Sequence, residues 1–186
     1  PLAALFREPL SLHLSFRIAI SIAAALGRFH ARGLIHRDIK PASILVDAET
    51  GQAWLGGLGR ASRVRRQRQA PEPPQIIAGT LAFMAPEQTG RMNRSIDSRS
   101  DLYAFGVVLY QMLVGELPFL ASDPMELVHC HVARRPVPPH ERIPAIPERV
   151  SAIVMKLLAK LAEDRYQTAA GVEADQRDIR ADRRHA

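Results

Sequence analysis

The run His36-Arg37-Asp38-Ile39-Lys40-Pro41-Ala42-Ser43-Ile44-Leu45 places a carboxylate, a lysine and a short hydroxyl side chain close together in this 186-residue chain. An aspartate beside a hydroxyl can orient it and accept its proton late in a reaction. A lysine two residues further on can neutralise negative charge growing on a transferred phosphoryl group. Asp38 and Lys40 suit those roles. An isolated Asp and Lys at this spacing would form no more than a surface ion pair, so the company of His36, Arg37 and Pro41 carries the reading. Ser43 offers a hydroxyl, a weak neutral ligand for a cation such as Mg²⁺ that prefers carboxylates and phosphate oxygens. Downstream, Gly56-Gly57-Leu58-Gly59 suggests a phosphate cradle but matches neither dinucleotide nor P-loop spacing.

Two other groupings invite chemistry. His129-Cys130-His131 resembles a metal tripeptide, but residues one and two apart on a helix point to different faces, so a shared ion is geometrically poor. The formal net charge of +6 is concentrated in Arg60, Arg63, Arg65, Arg66 and Arg68, and in Arg177, Arg180, Arg183 and Arg184. Nucleic-acid binding would call for interleaved aromatics; aromatic content is 5% and no aromatic lies in either cluster. A solvated loop and a charged helix face account for them, with an acidic partner for the loop as the alternative.

The elements that position these residues can be read from periodicity. Ser11 caps a helix reaching about Ala31, with Leu14, Ile18, Ile22, Leu26 and Phe29 at helical spacing and Gly33 beyond it. Leu34-Ile35-His36, Ile44-Leu45-Val46 and Ala53-Trp54-Leu55 read as short strands, the last two joined by the turn Asp47 to Gly51 into a hairpin beside the reactive run. From Gly59 to Ile77 little periodicity remains, which predicts a mobile loop. Asp101, Phe105, Val108, Leu109 and Met112 share a face of a helix stopped by Gly115. Asp123-Pro124-Met125-Glu126 signals another helix start. A Pro-rich connector spans 136–147. Val150, Ile153, Val154, Leu157, Leu158 and Leu161 form an apolar stripe, and a last helix begins near Thr168.

Several of these residues occur in an order that resembles the protein kinase family, serine/threonine type. The kinase catalytic loop reads H-R-D-x-x-x-x-N and is followed by D-F-G and A-P-E. Here those places are held by His36 to Ser43, by Gly57-Leu58-Gly59 and by Ala85-Pro86-Glu87. Gly79-Thr80 resembles the loop that receives the acceptor residue, Asp101 to Gly106 the start of the large buried helix, and Arg165 the arginine paired with the A-P-E glutamate. The resemblance implies Asp38 as base, Lys40 as electrostatic helper and Thr80 as the residue positioning the pair. It implies structural roles for His36, Arg37, Glu87, Asp101 and Arg165. Ser43 and Gly57 then occupy the two Mg²⁺-ligand positions in degenerate form.

The implied fold is mainly α with a small β-hairpin, the C-terminal lobe only of a kinase-like domain over residues 1–186. The catalytic loop would be 36–45, the activation segment 57–87 and a helical subdomain 96–183. No Gly-rich loop, V-A-I-K lysine or αC glutamate occurs, so an N-lobe is expected to be absent. The stretch from Gly79 to Phe119 and the segment from Asp123 to Pro139 are similar to the N-terminal kinase-like domain of bacterial proteins that continue into ATPase, sensor and histidine kinase modules. In that subfamily Gly often replaces the D-F-G aspartate, so Gly57 is compatible with inheritance, whereas Ser43 and Leu58 depart further.

Composition, at 47% hydrophobic and 24% charged, is that of one globular domain. Pro1 opens with no Met and no leader pattern, which suggests an excerpt of a longer polypeptide. The apolar run Ile18–Leu26 is too short to span a bilayer, and Cys130 alone forms no internal disulfide. Together these give the expectations: a cytoplasmic serine/threonine kinase-like domain, impaired or inactive, or alternatively a pseudokinase acting as a regulatory module. ATP and Mg are the family's cofactors but are not expected to bind this chain alone. The expected partners are the rest of a larger polypeptide and a protein substrate, with no nucleic acid and no membrane.

Overall fold

A computed structural model describes residues 1–6, 10–63 and 81–182. Its elements in chain order are α1 (Leu12–His30), β1 (Leu34–Ile35), β2 (Ile44–Val46), β3 (Ala53–Leu55), β4 (Ser62–Arg63), α2 (Ser98–Val114), α3 (Pro124–Ala133), α4 (Pro139–Arg142), α5 (Glu148–Leu157) and α6 (Ala169–Asp182). The expected mainly helical fold with a small hairpin is the one observed.

The first helix starts where its cap predicts, since the Ser11 hydroxyl accepts from the Leu14 amide at 3.3 Å. Ile18, Ile22, Ala23 and Leu26 are buried, and this face packs on α2, β3 and α6. By length and composition α1, with mean hydropathy 1.3, is apolar enough to cross a membrane. The buried stripe and the packing against three neighbours describe a core helix of a globular lobe.

Helix α2 is the axis of the molecule. It begins three residues before Asp101, because Asp97 caps it through the Arg99 amide at 2.8 Å. From Ser100 to Val114 almost every residue is buried, including Leu102, Phe105, Val108 and Met112, as expected for a helix surrounded on all sides. Gly106 allows α5 to approach: a Cβ there would lie 2.7 Å from the Leu157 Cβ. The stripe of α5 is buried at Val150, Ile153, Val154 and Leu157. The helix ends before Leu161, which is 39% exposed.

Two further expectations need correction. The Pro-rich connector contains a helical turn, α4, because Pro139 fits a first turn whose amide would lack a partner anyway. The loop from Gly59 is also not structureless throughout. Leu58–Arg60 forms a 3-10 turn, and Ser62–Arg63 pairs antiparallel with Leu34–Ile35. The remainder of that loop lies outside the described residues.

The hairpin has the expected limbs. Ile44 faces Leu55, Leu45 faces Trp54 and Val46 faces Ala53. Asp47 organises its turn, accepting from the amides of Glu49 at 2.9 Å and Thr50 at 3.2 Å. Those bonds favour the ionised carboxylate and lower its pKa.

Candidate active site

The reactive run sits between β1 and β2 and is held from below by α2. Asp101, 1% exposed, accepts from two consecutive backbone amides, those of His36 at 2.8 Å and Arg37 at 2.7 Å. His30 at the end of α1 donates to the same carboxylate at 2.9 Å. Arg37 has φ 67°, the only positive φ at a non-glycine among the described residues. That conformation costs on the order of 1 kcal/mol for a side-chain-bearing residue. The two charge-assisted bonds to Asp101 hold it there.

His36 is fully buried and fixes the other side of the loop. Its Nε2 donates to the Gly56 carbonyl at 2.8 Å, which leaves Nδ1 to accept the Asp38 amide at 3.4 Å. One imidazole therefore ties the loop to the segment after β3 that carries Gly57. Above it, Asp38 Oδ2 lies 2.9 Å from Lys40 Nζ, with side-chain exposures of 13% and 25%. Asp38 Oδ1 is buried and has no hydrogen-bond partner among the described residues. It lines a small cleft with Phe83, Met84 and Gln88. A hydroxyl reaching Oδ1 would meet an acceptor already oriented by the lysine.

The other half of the site differs. The Ser43 hydroxyl shares its proton between the carbonyls of Asp38 at 2.8 Å and Lys40 at 2.9 Å, and accepts from the Lys40 amide at 3.1 Å. The side chain closes the 3-10 turn Pro41–Ser43 on itself and does not present an oxygen outward. Gly57 has no side chain to offer. It adopts φ 70°, and a Cβ there would lie 3.1 Å from Ser43 Cβ. Among the described residues no three His, Cys, Asp or Glu side chains converge as cation ligands. The donor set here does not fit the pair of Mg²⁺ ions that a kinase holds through Asn and Asp.

Further down, the predicted pair Glu87–Arg165 forms a bidentate fork, Nη1 to Oε1 at 2.7 Å and Nη2 to Oε2 at 2.9 Å. Side-chain exposures are 4% and 0%. Every guanidinium donor is used, the rest going to the carbonyls of Ala159, Arg99 and Lys160. Ser100 donates to Glu87 at 2.7 Å, and the guanidinium lies 4.9 Å from the Tyr103 ring centroid.

Thr80 and Gly79 lie outside the described residues, as do Arg65, Arg66 and Arg68. The tripeptide does not act as a unit: His129 is exposed, Cys130 is buried, and His131 is buried with Nδ1 2.9 Å from the Tyr103 hydroxyl. Burial first, and then the charge of Lys160, push the His131 pKa down to about 4. Lys160 donates to the Cys130 and His131 carbonyls, closing the end of α3, and burial lowers its own pKa to about 8.

Three positioning residues escaped the reading of the sequence. Gln88 accepts from the Ala85 amide at 3.0 Å and donates to the Arg37 carbonyl at 3.2 Å, bridging A-P-E to the catalytic loop. Its spacing of three from Ala85, at the start of a 3-10 turn, is the kind of reach-back a capping pattern signals. Ser100 and His30 bond to partners 13 and 71 residues away, and nothing local marks them.

Comparison with known proteins agrees with this geometry. The protein kinase domain family matches residues 6–175. The serine/threonine-protein kinase PknB of Mycobacterium leprae is 38% identical over 161 residues, 87% of this chain and 25% of that protein. Its counterpart in Mycobacterium tuberculosis is 35% identical over 167 residues, 90% of this chain and 26% of that one. A probable serine/threonine-protein kinase of Corynebacterium efficiens is 37% identical over 162 residues, 85% and 24% respectively. The chain spans about a quarter of the length of these relatives. With Asp38 and Lys40 paired in the loop and Glu87 and Arg165 paired in the interior, this chain belongs to the protein kinase domain family, on the serine/threonine side of it.

Proposed function

We propose that this chain is the substrate-side lobe of a serine/threonine protein kinase domain whose phosphoryl transfer is impaired in its metal-holding half. The observation that carries this reading is the contrast within one loop. Asp38 keeps a carboxylate oxygen with no hydrogen-bond partner among the described residues, beside Lys40, while Ser43 is bonded to the loop backbone and Gly57 has no side chain to act as a ligand. In this reading Asp38 orients a serine or threonine hydroxyl and takes its proton at Oδ1. Lys40 offsets negative charge on the transferring group, and Thr80 positions the two. ATP and Mg²⁺ are the family's cofactors, but no step is assigned to the metal because the donors do not suit it.

Leu45, Trp54 and Leu58, each 52% exposed, lie on the hairpin and on the turn just beyond it. Such apolar exposure supports a face that another segment of a longer polypeptide covers, and nucleotide binding is proposed to need that segment. The residue pattern described above further suggests a bacterial signalling protein with ATPase, sensor and histidine kinase modules, working in the cytoplasm on a protein substrate.

A second reading, a pseudokinase serving as a regulatory or interaction module, draws on the same closed Ser43 turn, which maintains the loop's shape without any ligand. The longer polypeptide carrying this lobe separates them. In an impaired kinase, Ser43→Asn with Gly57→Asp raises turnover by orders of magnitude, and Asp38→Asn abolishes both phosphorylation and cellular output. In a module, Asp38→Asn leaves output intact, whereas removing the lobe destroys it. Residual phosphorylation insensitive to Asp38→Asn would overturn the assignment of the base.

A further inference from the structure

A second site lies away from the catalytic loop. A cavity of about 210 Å³ opens between the end of α2 and the connectors that flank α3. Phe119 and Pro136 are buried and Leu117 and Pro118 half-buried, giving an apolar floor. The Tyr110 hydroxyl donates to the Val137 carbonyl at 3.0 Å and fixes the far wall. On the rim, Leu120 is 68% and Val137 45% exposed.

The rim is also basic. Arg134, Arg135 and Arg142 line it. Arg142 is paired with Glu116, whereas Arg134 and Arg135 are exposed and have no carboxylate partner among the described residues. Two guanidiniums thus stand uncompensated beside an apolar hole. The volume is below the roughly 300–1,000 Å³ of small-molecule pockets and suits the insertion of a single side chain. Pro118 and Pro136 have no N–H, so backbone pairing with an incoming strand is limited and recognition falls to side chains. Nucleic acid would need exposed aromatic faces for stacking; Phe119 is buried and the Tyr110 hydroxyl is committed.

We propose that this cavity docks an acidic polypeptide segment, with one apolar side chain in the hole between Leu120 and Val137 and flanking carboxylates on Arg134 and Arg135. Charge complementarity selects the partner and speeds encounter, while the apolar anchor supplies affinity. The surface goes beyond phosphoryl transfer and serves an active or an inactive domain equally.

Fluorescence anisotropy with the full chain tests it. The probe is a labelled peptide in which a single Leu is flanked on both sides by Asp and Glu. Its competitors are the same peptide with Ser for Leu, and an oligonucleotide of equal charge. Saturable binding that weakens with salt is expected. Arg134→Glu with Arg135→Glu lowers affinity about tenfold or more. The charge-matched control at the C-terminal end of α1 and the turn after it, Arg28→Glu with Arg32→Glu, changes it less than about twofold. Leu120→Ser with Val137→Ser and the Ser peptide each lose most of the binding. Arg134→Gln with Arg135→Gln replaces the reversal variant if circular dichroism shows the latter misfolded. Equal losses in both arginine pairs would reduce the surface to diffuse charge. Equal competition by the oligonucleotide would make it a nucleic-acid face, and no saturation at millimolar peptide would remove it altogether. Each of these results overturns the proposal.

Discussion

Two ion pairs from one loop-and-helix framework have opposite designs. Arg165–Glu87 is closed: it is almost wholly buried, forked, and every guanidinium donor has an acceptor. Lys40–Asp38 is open: it is part exposed, with Nζ 2.9 Å from Oδ2, and the second carboxylate oxygen has no hydrogen-bond partner among the described residues. A closed pair has nothing left to give a ligand, and its removal strands a charge in a dry place. An open pair contributes little to stability but retains an acceptor for chemistry. Ser43 stands between the two, a residue expected at a ligand position whose hydroxyl is closed onto the backbone.

Breaking the closed pair should have the largest effect. Glu87→Ala leaves the buried guanidinium without its carboxylate, and the expected loss is about 3–5 kcal/mol, enough to unfold much of the lobe at ambient temperature. Urea denaturation followed by circular dichroism measures it. A loss within about 0.5 kcal/mol, as at surface sites, would show that the two pairs do not differ as described.

The neighbourhood of the closed pair also titrates. His131 lies against Tyr103, the ring over which Arg165 sits, and its folded pKa is near 4 against an ordinary value of 6.5. A histidine depressed by folding favours the folded state fully above the unfolded pKa. As pH falls from about 6.5, the unfolded chain takes up a proton that the folded chain refuses. This component of stability is therefore lost between about pH 6.5 and 4, to a total on the order of 3 kcal/mol. His131→Gln should flatten that part of the stability–pH curve. An unchanged slope in the variant would mean that other groups carry it.

Smaller effects are expected at the open end. Gly57→Asp places a side chain at φ 70° with its Cβ 3.1 Å from Ser43 Cβ, and should cost about 1–2 kcal/mol. Thermal denaturation of the single variant measures this, and a stabilised protein would contradict the geometry. Asp38→Asn should move stability by less than about 1 kcal/mol, because a part-exposed pair is worth little. A larger loss would make Asp38 a structural residue.

The division between closed and open was legible in the sequence to different depths. The helices came through because their signals are local: Ser11 and Asp123 cap, Leu14 to Phe29 repeat at helical spacing, and Gly115 stops α2. Element ends were less legible: Asp97 caps α2, and only tertiary contacts turn Asp101 toward the loop at His36 and Arg37. The short strand Ser62–Arg63 could not be found by pattern, as two residues carry no periodicity and its existence depends on Leu34–Ile35. At the site, the family pattern gave Asp38, Lys40, Glu87 and Arg165. It did not give the fate of Ser43, because a hydroxyl can face a cation or its own backbone and only the turn geometry decides. Ser100 and His30 were invisible because their partners lie elsewhere in the chain, and for Gln88 only the local reach-back to Ala85 could be read, not its bond to Arg37.

The most direct test of the central claim is Mg²⁺-dependent phosphoryl transfer from ATP to a protein hydroxyl, measured under single-turnover conditions in the longer polypeptide proposed to carry this lobe. An intact base without metal ligands predicts a rate orders of magnitude below the roughly 1–100 s⁻¹ of ordinary kinases, and little response to Mg²⁺ until Ser43→Asn and Gly57→Asp are introduced together. Transfer at an ordinary kinase rate by the native sequence, saturable in Mg²⁺ and abolished by Asp38→Asn, would contradict the account.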